Sequence, residues 1–97
     1  MIQRAGDRLA VSVPMTIANA RALSEQGSAL MDGGDLVVDL GQVVEADSAA
    51  LAIIFAWQRA QQARGGRLRV ENAPAGVVSL AAMYGVADLI SLSAAAA

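Results

Sequence analysis

The chain has 97 residues, a hydrophobic fraction of 56%, a charged fraction of 16% and a formal net charge of −2. This length suits one small domain, so we expect a single domain over residues 1–97, with residues 93–97 as a frayed tail. The chain contains no cysteine, histidine or lysine, which excludes disulfides, thiolate metal sites and histidine bases, and its acidic balance argues against nucleic-acid binding.

The N-terminal third predicts two strands, a helix and a third strand. Arg8–Val13 alternates apolar and polar residues, as expected for a strand that is covered on one face, and a hairpin turn joins it to a short strand at Ile2–Arg4. A helix is predicted from Thr16, as its N-cap, to the glycine-rich stop at Asp32–Gly34. The apolar, β-branched run Leu36–Leu40 then predicts a strand buried on both faces.

The remaining chain predicts two more helices and two more strands. Ser48 precedes an apolar helix from Ala49 to about Arg64, which Gly65 and Gly66 end. Arg67–Glu71 alternates as a strand, and Pro74 opens a third helix over Ala75–Tyr84. Leu89–Leu92 is predicted as a short last strand.

The order of these elements predicts an α/β fold. Strands that alternate with helices are joined by right-handed crossovers, so we expect a mostly parallel five-stranded sheet with an N-terminal hairpin. A chain with only about three helices cannot cover both faces of a five-stranded sheet. We therefore expect the helices mainly on one face, with the other face partly bare.

The longest uninterrupted apolar run, Ala49–Trp57, bears on membrane insertion. It has nine residues, whereas a spanning helix needs about 20. The first eight residues, Met1–Arg8, lack the apolar core of a signal peptide. We expect a cytoplasmic chain with no direct membrane insertion.

An acid and a hydroxyl, Asp47 and Ser48, stand at the start of the apolar helix. In one interpretation Ser48 is only an N-cap, worth about 1 kcal/mol, and Asp47 favours the positive end of the helix dipole. In the other, the Ser48 hydroxyl is phosphorylated, because free N–H groups at a helix start stabilise a phosphate. The residues alone leave both interpretations open.

No catalytic site is apparent in the sequence. Asp39, Glu45 and Asp47 could meet near the ends of adjacent strands, but the chain supplies no histidine, lysine or glycine-rich phosphate loop to work with them. We expect no catalysis, no metal ion and no cofactor.

Asp39-Leu40, Val43-Val44 and Asp47–Ala52 together resemble the signature of STAS domains, the fold shared by anti-sigma-factor antagonists and the cytoplasmic tails of sulfate transporters. In the antagonists the motif reads Asp-Ser-Ser-Gly-Leu and its second serine accepts a phosphate, whereas Ala49 holds that position here. A narrower resemblance is to the MlaB subunits of the Mla phospholipid-transporting ABC transporters, with a single hydroxyl residue at the position of Ser48 and a Leu-Ala-x-x-Tyr sequence at Leu80–Tyr84.

The narrower resemblance implies a partner, the cytoplasmic ATPase subunit (MlaF-like), in a complex with permease and lipid-binding subunits. The chain would then lie peripheral to the inner membrane and support outer-membrane lipid asymmetry; the alternative is an anti-sigma-factor antagonist regulated by serine phosphorylation. The long apolar helix also favours a partner, because both of its faces are apolar for three turns. The candidate residues are Asp47 and Ser48 for regulation or contact, and Ser48, Ala49, Leu51, Ala52, Phe55, Ala56, Arg59, Met83 and Tyr84 for partner binding.

Overall fold

The computed structural model describes residues 2–94 and contains one five-stranded sheet in the order β1-β2-β3-β4-β5. The strands are β1 Ile2–Ala5, β2 Arg8–Val11, β3 Asp35–Asp39, β4 Arg67–Ala73 and β5 Ser91–Ala94. The first two strands pair antiparallel as a hairpin, and β2, β3, β4 and β5 are parallel neighbours. The predicted mostly parallel sheet with an N-terminal hairpin is confirmed.

The helices are α1 Ala20–Leu30, α2 Ala49–Ala63 and α3 Ala75–Met83, followed by a 3₁₀ turn at Ala87–Leu89. They cover one face of the sheet, as predicted. The alternating burial of the strand side chains shows this. Leu68 and Val70 of β4 are buried under the helices, whereas Arg67 and Arg69 are exposed on the opposite face. This opposite face is called the open face below.

Several predicted boundaries are wrong. The first helix begins at Ala20 and not at Thr16, because the backbone at Met15 pairs with Ala46 and holds residues 14–19 out of a helix. Asn19 stands at the N-cap, and its side chain donates to the Pro14 carbonyl at 2.9 Å. A long-range backbone contact therefore overrides the local capping signal.

The third and last strands also differ from prediction. β3 is fully buried only toward the helices, and its outward residues Val37 and Asp39 are half-buried because no element covers the open face. Leu89 lies in the 3₁₀ turn, and the last strand begins at Ser91. It includes two residues of the predicted tail, Ser93 and Ala94, while residues 95–97 lie outside the described residues.

Candidate functional site

Two loops meet at the carboxyl edge of the parallel strands, where α2 begins. The loop after β2 and the loop after β3 run side by side and form an isolated parallel bridge between Met15 and Ala46. The Met15 N–H donates to the Glu45 carbonyl at 2.9 Å, and the Asp47 N–H donates to the Met15 carbonyl at 3.2 Å. These bonds fix the backbone on both sides of the α2 N-terminus.

Asp47 holds both loops through its carboxylate. Its Oδ1 accepts the Ala49 N–H at 2.8 Å and its Oδ2 accepts the Ile17 N–H at 3.2 Å. One carboxylate therefore caps α2 and anchors the neighbouring loop, so the sequence-predicted residue Asp47 has a positioning role. Its side chain is half-buried, and both carboxylate oxygens already accept a backbone N–H.

Ser48 occupies the N-cap position, as the first interpretation expected, but the capping hydrogen bond expected of its side chain is absent. Asp47 instead accepts the Ala49 N–H, and the N–H groups of Ala50 and Leu51, which a capping serine would bind, have other acceptors. The next two N–H groups are also satisfied, by the Asp47 carbonyl at 3.0 Å and by the Ser48 carbonyl at 3.2 Å. The exposed Ser48 hydroxyl is left with no intramolecular partner within residues 2–94.

The outward stripe of α2 carries most of the predicted partner-binding residues. Ala52 and Arg59 are exposed, and Phe55 and Ala56 are half-buried. Ala49, at the first position of the helix, is half-buried as well. These side chains recur at helical spacing and form a continuous strip that starts at Ser48.

Leu51 does not belong to this strip. Only 6% of its surface is exposed and it packs in the hydrophobic core. Its neighbour Ala52 is exposed because successive helical residues point about 100° apart, which is enough to move from the core to the surface. We therefore correct the candidate partner surface by removing Leu51.

Met83 and Tyr84 are 73% and 59% exposed, at the end of α3. Both α2 and α3 return from the carboxyl edge of the parallel sheet, so they run in the same direction and Tyr84 lies toward the opposite end from Ser48. Beside the later turns of α2, the Gln58 amide donates to the Leu89 carbonyl at 2.7 Å. The structure therefore does not bring Met83 and Tyr84 next to Ser48.

Two exposed apolar residues at the carboxyl edge were missed in the sequence. Ile17 is 78% exposed and Val44 is 93% exposed, one in each of the two paired loops. The signal that could have found Val44 is the pair Val43-Val44 in a loop, where one side chain is buried and the other faces water. We call Ile17, Val44 and Ser48 the edge patch.

The three carboxylates considered for catalysis do not converge. Asp47 binds two backbone N–H groups, and Asp39 is held by the Asn72 amide at 3.0 Å, the Gly41 N–H at 2.8 Å and Arg8 at 3.1 Å. The Asn72 hydrogen bond, followed by that of Gly41, lowers the pKa of Asp39 below 3.8. No cluster of three carboxylates that could hold a metal ion occurs within the described part of the chain.

The carboxylates of Asp32 and Asp39 predict how the free energy of unfolding depends on pH. The Arg4 guanidinium, followed by the Gly34 N–H, lowers the pKa of Asp32 from 3.8 to about 2, and the pKa of Asp39 is lowered in the same direction. Because both folded-state pKa values lie below the unfolded ones, their contribution to the free energy of unfolding is present above about pH 4 and is lost on acidification toward pH 2.

Urea unfolding between pH 2 and pH 7 measures this effect. Asp32→Asn and Asp39→Asn should each flatten the acid limb of the stability curve, whereas Asp88→Asn, at an exposed residue of the 3₁₀ turn, should leave it unchanged. An equally steep acid limb in the Asp32→Asn, Asp39→Asn double variant would contradict the assignment.

Comparison with known proteins identifies similar families and folds. The family model described as "Mlab, STAS domain" matches residues 1–91, and no curated protein matches the chain. A Thermotoga maritima protein proposed to be an anti-sigma factor antagonist has a TM-score of 0.76 at 13% identity, covering 96% of this chain and 84% of its own. The anti-sigma factor antagonist SpoIIAA, in its unphosphorylated form, has a TM-score of 0.67 at 11% identity, with coverages of 100% and 88%.

A transporter is similar over one of its parts. The murine anion transporter Solute Carrier 26 family member A9 has a TM-score of 0.71 at 19% identity, over 89% of this chain and 15% of the transporter. At these identities the structural matches show the fold alone. Within residues 2–94, none of the helices combines the length and apolar character that crossing a membrane requires.

Proposed function

Because the chain belongs to the STAS domain family, we propose that it is a non-catalytic binding subunit that docks on the ATPase of a phospholipid-trafficking ABC transporter of the Mla type. In this role it would support the ATPase within a complex with permease and lipid-binding subunits. It would lie on the cytoplasmic side of the inner membrane and contribute to outer-membrane lipid asymmetry. The family match described as Mlab, over residues 1–91, supports the transporter assignment.

The edge patch is the observation that carries this proposal. Ile17 and Val44 expose apolar side chains on loops that backbone hydrogen bonds and Asp47 hold in place. A partner that covers these two side chains removes apolar surface from water. Binding costs little loop entropy, because the loops are already ordered. The free Ser48 hydroxyl lies at the same edge, and the outward strip of α2 extends the surface along the helix.

A second candidate function, an anti-sigma-factor antagonist switched by phosphorylation of Ser48, is favoured by the fold similarity to two such antagonists or proposed antagonists. The local chemistry weighs against it. The first three N–H groups of α2, from Ala49 to Leu51, already have acceptors, so a phosphate on Ser48 would find no free donors there. It would also meet the adjacent carboxylate of Asp47.

Ser48→Arg tests the proposed contact. We expect the folded variant to bind the purified ATPase at least 10-fold more weakly by calorimetry, because the arginine places bulk and charge within a closely packed interface. Ser48→Ala should bind within about 2-fold of the wild type and lose less than about 0.5 kcal/mol of stability, because no capping hydrogen bond is removed.

The matched control is Ser91→Arg, at an exposed serine of β5, which should leave binding unchanged. Wild-type affinity in a folded Ser48→Arg variant would place the contact elsewhere. Recovery of native partners separates the two functions: a serine kinase or sigma-factor regulator without an ATPase, together with phosphate on Ser48, would establish the antagonist.

A further inference from the structure

A charged cleft of about 340 Å³ lies on the open face, away from the edge patch. It is bounded by the β1–β2 turn and by the first residues of β3 and β4, that is, at the opposite end of the parallel strands from the α2 N-terminus. Its lining residues are Asp7, Asp35, Leu36, Val37, Arg67 and Arg69. The cleft therefore has two acidic and two basic side chains around the half-buried Val37.

The backbone of the cleft is fixed although its charged side chains are exposed. The Val37 N–H donates to the Asp7 carbonyl at 2.9 Å, which ties the hairpin turn to β3. The Arg67 N–H donates to the Gly34 carbonyl at 2.9 Å, which ties the start of β4 to the loop before β3. The positions from which the four charges project are therefore set by the sheet.

Three of the four charged side chains in the cleft make no ion pair within the described residues. Asp35 and Arg67 face each other in the parallel register, yet they form no ion pair. The side chains of Asp7, Asp35 and Arg67 have no hydrogen-bond or ion-pair partner within residues 2–94. Arg69 makes one contact, to Glu71 at 3.6 Å, and keeps 66% of its side chain exposed.

The neighbouring charges on the same face are arranged differently. Arg8 contacts Glu71 at 2.8 Å and Asp39 at 3.1 Å, and Asp39 also accepts from Asn72. The pKa of Arg8 is raised, first by its hydrogen bond to Glu71 and then by that to Asp39. One half of the open face thus neutralises its own charges, while the half around the cleft leaves them available.

We propose that this cleft binds a small zwitterion, with its cationic group on the side of Asp7 and Asp35 and its anionic group on the side of Arg67 and Arg69. Each end of a zwitterion is attracted by the cleft side chains of opposite charge. A ligand with a single charge would be attracted by one pair of side chains and repelled by the other. Val37, which lies between Arg8 and Arg69 in the strand register, provides apolar contact for a short spacer. Such a group is either a free molecule or the ammonium-bearing headgroup of a phospholipid.

Titration of the ¹⁵N-labelled protein with 4-aminobutyrate, followed by NMR, tests the site. We expect saturable shifts at Asp7, at Asp35–Val37 and at Arg67–Arg69, with a dissociation constant of roughly 1–10 mM because exposed charges are screened. Butylamine and butyrate, which carry one charge each, should shift the same signals at least 5-fold less. Equal shifts with either single-charge compound, or no shifts at all, would overturn the proposal.

Variants and a second probe locate the site and the source of the ligand. Asp35→Asn and Arg67→Gln should each weaken binding at least 5-fold, whereas Asp88→Asn and Arg21→Gln, at exposed charges elsewhere, should not change it. Phosphoethanolamine replaces the carboxylate by a phosphate. Stronger binding of phosphoethanolamine, together with broadening of the same signals by phosphatidylethanolamine vesicles, indicates a lipid headgroup. Preference for 4-aminobutyrate, without vesicle binding, indicates a free molecule.

Discussion

Replacement of Gln61 by leucine should lower the free energy of unfolding by about 2–4 kcal/mol, although glutamine is an ordinary surface residue of helices. Gln61 is fully buried, with 0% of its surface exposed. Its Oε1 accepts the Gly33 N–H at 2.9 Å, and its Nε2 donates to the carbonyls of Gly34 at 2.6 Å and Arg67 at 3.3 Å. Leucine fills the space but removes these partners from the half-buried Gly33 N–H and from the two carbonyls.

Urea unfolding followed by circular dichroism measures this loss. The matched control is Gln62→Leu, the next residue of α2, which is exposed and should change stability by less than about 0.5 kcal/mol. Gln61 also joins the end of α2 to the start of β4, so amide exchange in Gln61→Leu should increase first around Gly33 and Arg67. A stability within 0.5 kcal/mol of the wild type would show that these hydrogen bonds contribute nothing net.

The fold was predictable because its signals are local and repeated. Strand alternation at Arg67–Glu71 and the glycine stop after α2 each specify one element, and their order leaves few topologies. The boundary at Thr16 was not predictable in this way. It depends on the bridge between Met15 and Ala46, two residues far apart in the chain.

The position of the α2 N-terminus was predictable from the sequence, but its hydrogen bonds were not. The motif marked the α2 N-terminus, but a sequence does not show whether the side chain of Asp47 or that of Ser48 caps the helix. Both residue types cap helices, and the contact to the Ile17 N–H requires the folded loops. Leu51 and Gln61 show a related limit, because apolar and polar character alone did not reveal that both face the core.

The orientation of α2 decides which of its residues are exposed, and it is set by its contact with α1. Trp57 of α2 is 1% exposed, and its indole N–H donates to the Leu23 carbonyl of α1 at 2.8 Å. Its ring lies directly over Gly27, which has no side chain to obstruct it. This contact turns Ala52 and Arg59 outward and keeps Ile53 in the core.

Gly27→Ala should therefore destabilise the protein by about 3 kcal/mol, even though alanine favours a helix over glycine by about 1 kcal/mol. A Cβ atom at Gly27 would lie well inside van der Waals contact of the Trp57 ring, so the ring or α1 must move and the buried hydrogen bond to Leu23 is strained. The control is Gly76→Ala in α3, where a Cβ meets nothing within 4 Å and stability should be equal or higher.

A double-mutant cycle with Trp57→Phe separates this contact from a general effect on α1. The smaller ring leaves room at Gly27, so Gly27→Ala should cost less than about 1 kcal/mol in the Trp57→Phe background, a coupling of about 2 kcal/mol. Equal costs in both backgrounds would mean that the Trp57 ring is not the obstacle. Because the ring sets how α2 lies on α1, Gly27→Ala should also weaken ATPase binding if the outward strip of α2 is the docking surface, whereas Gly76→Ala should not.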